Sequence, residues 1–143
     1  MAEVLPVYCH INTAAGSSVG VTFHPGRKFE LVGVRFGSRT AITAHASNIG
    51  VVSIYGSDET TAVWQWDTTT GNDGTVAAST VYYTSDEEAP GVAGDTAKDF
   101  EAAATKTLLT YDANQLLEVV NDQSGGSGVA FVDAGLTLLI RYL

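Results

Sequence analysis

The sequence places one serine, Ser18, in a pattern that marks the catalytic nucleophile of many hydrolases. The pattern is GSSVG (residues 16–20), which fits G-x-S-x-G. In α/β-hydrolases a helix follows this serine, and an acid and then a histidine come later in the chain. Here the next residues, VTFHPG, are typical of a strand, and the last histidine, His45, precedes the first aspartate, Asp58. We therefore predict that Ser18 lies in a turn between two strands and is not a nucleophile.

The single cysteine and the three histidines are the other residues whose types suggest chemistry. Cys9 and His10 are adjacent, so in a strand their side chains point to opposite faces and do not form a catalytic pair. One cysteine excludes an intrachain disulfide and a cysteine-rich metal site. The histidines, at positions 10, 24 and 45, lack the spacing of a metal-binding motif. We predict a buried structural cysteine and no metal site.

The acidic residues also lack the arrangement that catalysis or cofactor binding requires. The carboxylate pairs Asp58-Glu59 and Glu87-Glu88 lie in polar, turn-rich segments, where solvation keeps them charged. The segment DTTTGNDG (residues 67–74) lacks the alternating ligands and the closing glutamate of a calcium loop. The sequence contains neither a P-loop nor a G-x-G-x-x-G pattern. It therefore predicts a protein that is not an enzyme and needs no metal or cofactor.

The elements that would position any site are predicted to be strands. Alternating apolar and β-branched residues predict nine of them, at residues 3–12, 19–24, 28–37, 48–57, 61–68, 74–84, 105–111, 115–122 and 128–143. Turn signals such as HPGR, GSDET and DQSGGSG separate them. Short strands at this spacing favour an antiparallel, jelly-roll-like β-sandwich of about eight strands. The segment 95–106 has a capping-box pattern and several alanines, which predicts at most one short helix.

Length and composition indicate one globular domain. The chain has 143 residues, of which 45% are hydrophobic and 16% charged, so we predict a single β-sandwich domain over residues 1–143. No apolar run reaches the ~18 residues of a membrane span. Glu3 lies where a secretory leader carries basic residues, which argues against export by that route. The basic residues are few and scattered, which argues against nucleic-acid binding.

The net charge of −9 is divided unevenly along the chain. Residues 1–57 contain four basic and two acidic residues, whereas residues 58–143 contain three basic and fourteen acidic residues. One explanation is a solvated acidic surface that keeps the protein soluble. The other is a bipolar subunit whose basic residues meet an acidic partner; these residues are Arg27, Lys28, Arg35 and Arg39.

Two stretches of the chain resemble a known family of proteins. FELVGVRFGSRTAITAHASNIGVVSIYGS joins an apolar strand, with a basic residue near its end, to a second strand through a Thr/Ala-rich bridge. LLTYDANQLLEVVNDQSGGSGVAFVDAGLTLLIRYL sets a short strand, a polar turn, a second strand, a glycine-rich loop and a long C-terminal strand in succession. Over about residues 28–143 this pattern resembles the decoration or cement proteins of tailed bacteriophages, small jelly-roll-like β-sandwiches on the outside of the capsid.

This resemblance implies a non-enzymatic virion protein that is made in the host cytoplasm and binds the outer capsid surface. Members of the family clamp neighbouring copies of the major capsid protein, often as homotrimers, and neither nucleic acid nor a membrane is expected as a partner. On this interpretation Arg27, Lys28, Arg35 and Arg39 dock on an acidic capsid surface. The acidic segment 85–101 departs from the family pattern and either packs on a neighbour or faces solvent.

The sequence leaves several alternatives open. Residues 1–16 form either an arm that reaches a neighbouring subunit or the first strand of the sandwich. Tyr82 and Tyr83 are adjacent, so one of them would point outwards and anchor a subunit interface, unless both are satisfied within the fold. Trp64 and Trp66 share one face of a strand, and a carbohydrate-binding module would stack a sugar on one of them. A head-fibre or tail component of the same virion is a further possible function.

Overall fold

The computed structural model consists of two antiparallel β-sheets. It describes residues 3–13, 19–69, 77–84, 100, 103–124 and 131–143. In this part of the chain the strands are β1 (Val4–Thr13), β2 (Val19–Phe23), β3 (Phe29–Ser38), β4 (Ile49–Tyr55), β5 (Ala62–Asp67), β6 (Val81–Tyr83), β7 (Thr110–Tyr111), β8 (Leu117–Ser124) and β9 (Phe131–Tyr142). A 3₁₀ helix spans Ala103–Leu109.

The two sheets pack face to face as a β-sandwich. The first sheet has the order β1-β9-β3-β6, and β7 pairs with the start of β3. The second sheet has the order β2-β8-β4-β5. Every strand pair in both sheets is antiparallel. The predicted all-β, antiparallel sandwich is therefore confirmed.

Side-chain alternation sends one face of each sheet into a common core. In β9 the residues Ala134, Leu136, Leu138 and Ile140 are buried, whereas the residues between them are partly exposed. The inner faces carry the largest side chains, and Phe36 of the first sheet packs against aromatic rings of both sheets. Its ring centroid lies 6.2–6.4 Å from those of Trp64, Trp66 and Phe131. This aromatic cluster joins the two sheets.

The glycine at the start of β4 allows this close packing. A Cβ atom added to Gly50 would lie 2.2 Å from Cε2 and 2.8 Å from Cζ of Phe131. Phe131 is fully buried, so its ring occupies the space that a side chain at position 50 would need. Gly50 is thus required for the contact between β4 of the second sheet and β9 of the first.

The N-terminal segment is a strand over the residues that the structure describes. β1 pairs with β9 from Val4, opposite Arg141, to Thr13, opposite Phe131. Of the two alternatives for this segment, the structure therefore has the first strand of the sandwich, and this strand lies at the edge of its sheet. Ser18 lies outside the described residues, and the strand β2 begins directly after it.

Two of the predicted strands are shorter than the sequence indicates. The predicted strand 105–111 is a 3₁₀ helix up to Leu109 and a strand only at Thr110–Tyr111. The reason lies in tertiary packing: the carbonyl of Leu108 accepts a hydrogen bond from Ser57 N at 2.9 Å. A Cβ atom added to Gly56 would lie 2.6 Å from the Cβ atom of Leu108. The glycine therefore lets the 3₁₀ helix pack against the end of β4. The predicted strand 74–84 is a strand only over Val81–Tyr83.

Candidate functional site

Among the described residues, the outer face of the second sheet is acidic, whereas that of the first has a small excess of positive charge, with Glu30 and Asp133 as its acids. Alternation along β8 and β5 places three acids on the outer face of the second sheet, namely Asp67, Glu118 and Asp122. Asp67 and Asp122 lie in one row, on either side of Val51. The arginines of the described strands, Arg35 and Arg141, lie on the outer face of the first sheet. In the described part of the chain, the outer faces of the two sheets therefore differ in net charge.

The outer face of the first sheet has a paired end and a more cationic end. Glu30 and Arg141 are cross-strand neighbours, and Arg141 Nη2 lies 2.6 Å from Glu30 Oε2. At the opposite end of β3, Arg35 is followed by Arg39, whose backbone N–H donates to the carbonyl of Asp133 at 3.1 Å. The exposed Asp133 lies at the same end, so Arg35 and Arg39 leave an excess of one positive charge there.

The four basic residues predicted for docking do not form one patch. Arg27 lies over the ring of Tyr142, with Cζ 4.4 Å from the ring centroid. Lys28 Nζ lies 3.0 Å from Asp112 Oδ1. Lys28 and Arg39 are eleven positions apart in nearly extended chain, a distance of ~36 Å at ~3.3 Å per residue. The structure therefore separates Arg27 and Lys28, which precede β3, from Arg35 and Arg39, which lie at the other end of that strand.

Neither Tyr82 nor Tyr83 is exposed, so of the two alternatives the structure has the one in which both tyrosines are satisfied within the fold. Tyr82 is 5% exposed; its ring meets Trp66 edge to face at 4.3 Å, and its hydroxyl accepts a hydrogen bond from Ala77 N at 2.9 Å. Tyr83, opposite Arg35 in the first sheet, is 7% exposed. Alternation places the two tyrosines on opposite faces of β6, but it does not say whether a face is covered.

The tryptophans are also core residues. Trp64 and Trp66 share a face of β5, as expected, and that face is the inner one. They are 0% and 1% exposed, so neither indole offers a surface to a sugar. The hypothesis that a carbohydrate stacks on one of these tryptophans is therefore wrong.

A shallow cleft lies on the outer face of the first sheet, at its cationic end. Its volume is about 330 Å³, and we call it the Tyr8 cleft. Its lining includes Tyr8 from β1, Arg35 and Gly37 from β3, and Gly135 from β9. The segment before β6 contributes Ser79, Thr80 and Val81, and Arg39 and Asp133 lie at the end of the cleft where β3 stops and β9 starts.

Two glycines form the floor of the Tyr8 cleft. Gly37 and Gly135 are directly opposite each other in neighbouring strands. A Cβ atom added to Gly135 would lie 2.6 Å from both Cε2 and Oη of Tyr8, so the tyrosine ring covers this glycine. Tyr8 is nevertheless 67% exposed as a residue, and His10 stacks beside its ring at a centroid distance of 6.5 Å. The cleft therefore presents an aromatic surface to solvent on a floor without side chains.

The cleft also contains backbone strain. Three described residues other than glycine have positive φ, and two of them, Ser79 (57°) and Asp133 (53°), line the Tyr8 cleft. Such conformations cost ~1–3 kcal/mol each and persist where the surrounding structure holds them. Ser79 is held by its backbone N–H, which donates to the carbonyl of Ser38 at 2.8 Å. Two residues with strained backbone conformations therefore lie in the Tyr8 cleft.

Of the residues that line this cleft, only Arg35 and Arg39 were predicted from the sequence as functional residues. The sequence does contain a signal, because isolated glycines inside strand patterns indicate a close approach of another group. Gly37 and Gly135 both fit that description. Tyr8 was recognisable only as a neighbour of Cys9 in an alternating strand, and its exposure depends on the position of β1 at the sheet edge.

The groups considered for catalysis are in ordinary structural roles. Burial raises the pKa of the Cys9 thiol, so it stays protonated and unreactive at neutral pH. The hydroxyl of Thr61, with the backbone N–H groups of Thr61 and Thr60, lowers the pKa of Asp58 to about 2. Within the described ranges no three His, Cys, Asp or Glu side chains come together as metal ligands. The acidic segment 85–99 and most of the DTTTGNDG stretch lie outside those ranges.

Comparisons with known proteins identify no relative of this chain. No protein-family model, curated protein or solved structure matches the chain. In the described part of the chain, no helix has the length and hydrophobicity that crossing a bilayer would need.

Proposed function

We propose that this chain is a non-enzymatic structural protein of a tailed-phage virion, which binds the outer capsid surface and stabilises contacts between major capsid subunits. The observation that carries the proposal is a two-sheet sandwich whose outer faces differ in charge. A decoration protein needs a rigid body with an adhesive face, and such a face is supplied here by the cationic end of the first sheet.

The strand order supports the jelly-roll form of the sandwich. The chain crosses from one sheet to the other at nearly every connection and stays in the same sheet only between β4 and β5 and between β6 and β7. The resulting sheets, 1-9-3-6 and 2-8-4-5, have the order expected when two Greek keys form a double-sheet jelly roll. Viral capsid domains are among the proteins that use this architecture.

The charged faces support an orientation for docking. Arg35 and Arg39 face outwards at one end of the first sheet, whereas Asp67, Glu118 and Asp122 face outwards on the second. An acidic capsid surface would attract the first face and repel the second, so the subunit would approach in one orientation. The proposed docking residues are Arg35 and Arg39, which line one cleft at this end of the first sheet, whereas Arg27 and Lys28 lie before the opposite end of β3.

Binding to capsids that lack the protein tests this proposal. Co-sedimentation of the purified chain with such capsids, at several salt concentrations, measures the affinity and its ionic-strength dependence. We expect the double variant Arg35→Glu/Arg39→Glu to bind about tenfold more weakly and to lose most of the salt dependence. The control Arg27→Glu/Lys28→Glu makes the same change in net charge and should bind within about twofold of the wild type.

The outcomes separate the proposal from its alternatives. If the wild-type chain does not bind capsids at low salt, the decoration function is wrong. If both double variants lose affinity equally, the first sheet is not the docking face. Electron microscopy of labelled virions distinguishes capsid decoration from a fibre or tail location. Sedimentation equilibrium tests the proposed homotrimer, which should have three times the mass of the chain.

A further inference from the structure

We propose that the Tyr8 cleft is a carbohydrate-binding site, in which the exposed ring of Tyr8 stacks on the face of a pyranose. The site is separate from the tryptophans, but it shares Arg35 and Arg39 with the face proposed above for capsid docking. Its volume of about 330 Å³ falls at the lower end of the ~300–1,000 Å³ of small-molecule sites.

The exposed ring of Tyr8 offers a surface on which a sugar can stack. An aromatic ring has a negative face, and the C–H bonds on one face of a sugar ring are weakly positive, so the two stack. Tyr8 is 67% exposed, although a large aromatic side chain is usually mostly buried. Gly135 beneath it and His10 beside it restrict where the ring can lie. A restricted aromatic surface loses little conformational entropy on binding.

The polar residues that line the cleft can bind the hydroxyl groups of a sugar. A sugar presents hydroxyl groups that both donate and accept hydrogen bonds, so its site needs acceptors and donors close together. At the end of the cleft Asp133 accepts and Arg39 donates, and both side chains are exposed. The hydroxyls of Ser79 and Thr80 on one wall add groups that do both. Most of the lining surface is apolar, and these few polar groups are placed around it, as in other small-molecule sites.

The position of the cleft argues against a peptide strand as its ligand. Peptides that extend a sheet pair with the free backbone groups of an edge strand. The floor of the Tyr8 cleft is formed by β9 and β3, which are central strands and already pair on both sides. The backbone of the floor is therefore occupied, and recognition has to use side chains on the outer face.

The two glycines give the site its depth. Gly37 and Gly135 leave a gap between Tyr8 on one side and Val81 on the other. A side chain at position 135 would strike the Tyr8 ring, and one at position 37 would lie 3.0 Å from the carbonyl oxygen of Thr80. The two glycines therefore let the Tyr8 ring and the Thr80 carbonyl lie close against the sheet, where they border the cleft.

Nuclear magnetic resonance titration with defined sugars tests the proposal. The probes are methyl glycosides of neutral, amino and acidic pyranoses, added to the ¹⁵N-labelled full chain. We expect at least one glycoside to shift the amide resonances of Gly37, Gly135 and Asp133 and to receive saturation transfer from Tyr8. Including acidic sugars shows whether the arginines favour a carboxylate on the ligand.

Variants at Tyr8 and Gly135 show whether a sugar binds in the Tyr8 cleft. Tyr8→Ala should weaken binding at least tenfold, whereas the matched control Tyr8→Phe keeps the ring and should bind within about threefold of the wild type. Gly135→Ala should also weaken binding, because the new methyl group displaces the ring while leaving Tyr8 in the sequence. Since the ring is exposed, all three variants should keep the wild-type unfolding temperature within a few degrees.

Three results would overturn the proposal. The first is the absence of shifts and saturation transfer with every glycoside at concentrations of tens of millimolar. The second is binding that Tyr8→Ala leaves unchanged. The third is a loss of capsid binding in Tyr8→Ala without any sugar binding by the wild type, which would make the cleft a protein-docking site. Capsid binding that fails while sugar binding persists would instead overturn only the function proposed above.

Discussion

Substituting alanine for Gly50 tests the packing of the two sheets most directly. The new Cβ atom would lie 2.2 Å from Cε2 of Phe131, whereas carbon atoms in favourable contact are ~3.5–4.0 Å apart. The ring or the strand must therefore move by more than ~1 Å in a close-packed core. Overpacking of this kind costs ~1–3 kcal/mol, and the lower entropy of unfolded alanine offsets ~0.4–1 kcal/mol of it.

We therefore expect Gly50→Ala to lower the free energy of unfolding by about 1–2 kcal/mol. Chemical denaturation with an unchanged slope would measure this value. The control is Gly20→Ala in β2, where the nearest atom to the added Cβ is Glu118 Oε1 at an ordinary 3.6 Å. That variant should be as stable as the wild type or slightly more stable.

A double-mutant cycle identifies Phe131 as the cause. Phe131→Leu removes the two ring atoms that the new methyl group would meet, so Gly50→Ala should cost almost nothing in that background. The coupling energy between the two positions should then be about 1 kcal/mol or more in favour of the double variant. An equal cost in both backgrounds, or no cost in the wild type, would refute the reasoning about this contact.

Three further predictions concern individual side chains. The fluorescence of Trp64 and Trp66 should be blue-shifted, resist acrylamide quenching and not respond to sugars, since both indoles are buried; a red-shifted spectrum would contradict the core described above. The pKa of Asp58 falls from its ordinary 3.8 to about 2, so its stabilising contribution is complete above pH 3.8 and is lost as the pH falls through about 2. Carboxyl NMR titration should find that midpoint, and Asp58→Asn should remove this part of the acid dependence of unfolding. Burial raises the pKa of Tyr111, and its hydroxyl donates to the carbonyl of Tyr55 at 2.7 Å; Tyr111→Phe should cost about 1 kcal/mol and leave the absorbance titration of the folded protein unchanged.

The strands were predictable because their signal is local. Alternation in segments such as 28–37 and 115–122 reports which side chains share a face, and turn residues mark where each strand ends. The 3₁₀ helix was not predictable in the same way, because Leu108 is held by Ser57, which lies far away in the sequence. Tertiary contacts of this kind override the local β preference of a short segment.

The candidate site was less predictable than the fold. The sequence shows that Arg35 and Arg39 are basic, but only the sheet order places them beside Tyr8 of a distant strand. Burial of Tyr82 likewise depends on Trp66, which belongs to the other sheet. Exposure is a property of the assembled sandwich, and one strand taken alone does not specify it.

The difference in charge between the outer faces also limits the ways in which copies of this chain can assemble. Attraction between the cationic face of one copy and the acidic face of the next uses two patches that lie back to back. Repetition of that contact adds copies along a line and never returns to the first, so it would produce a filament whose length depends on ionic strength. A closed trimer needs patches that meet at an angle, such as an outer face and a lateral edge of the sandwich. Salt would therefore shorten filaments held by the faces while leaving a trimer closed through an apolar edge intact.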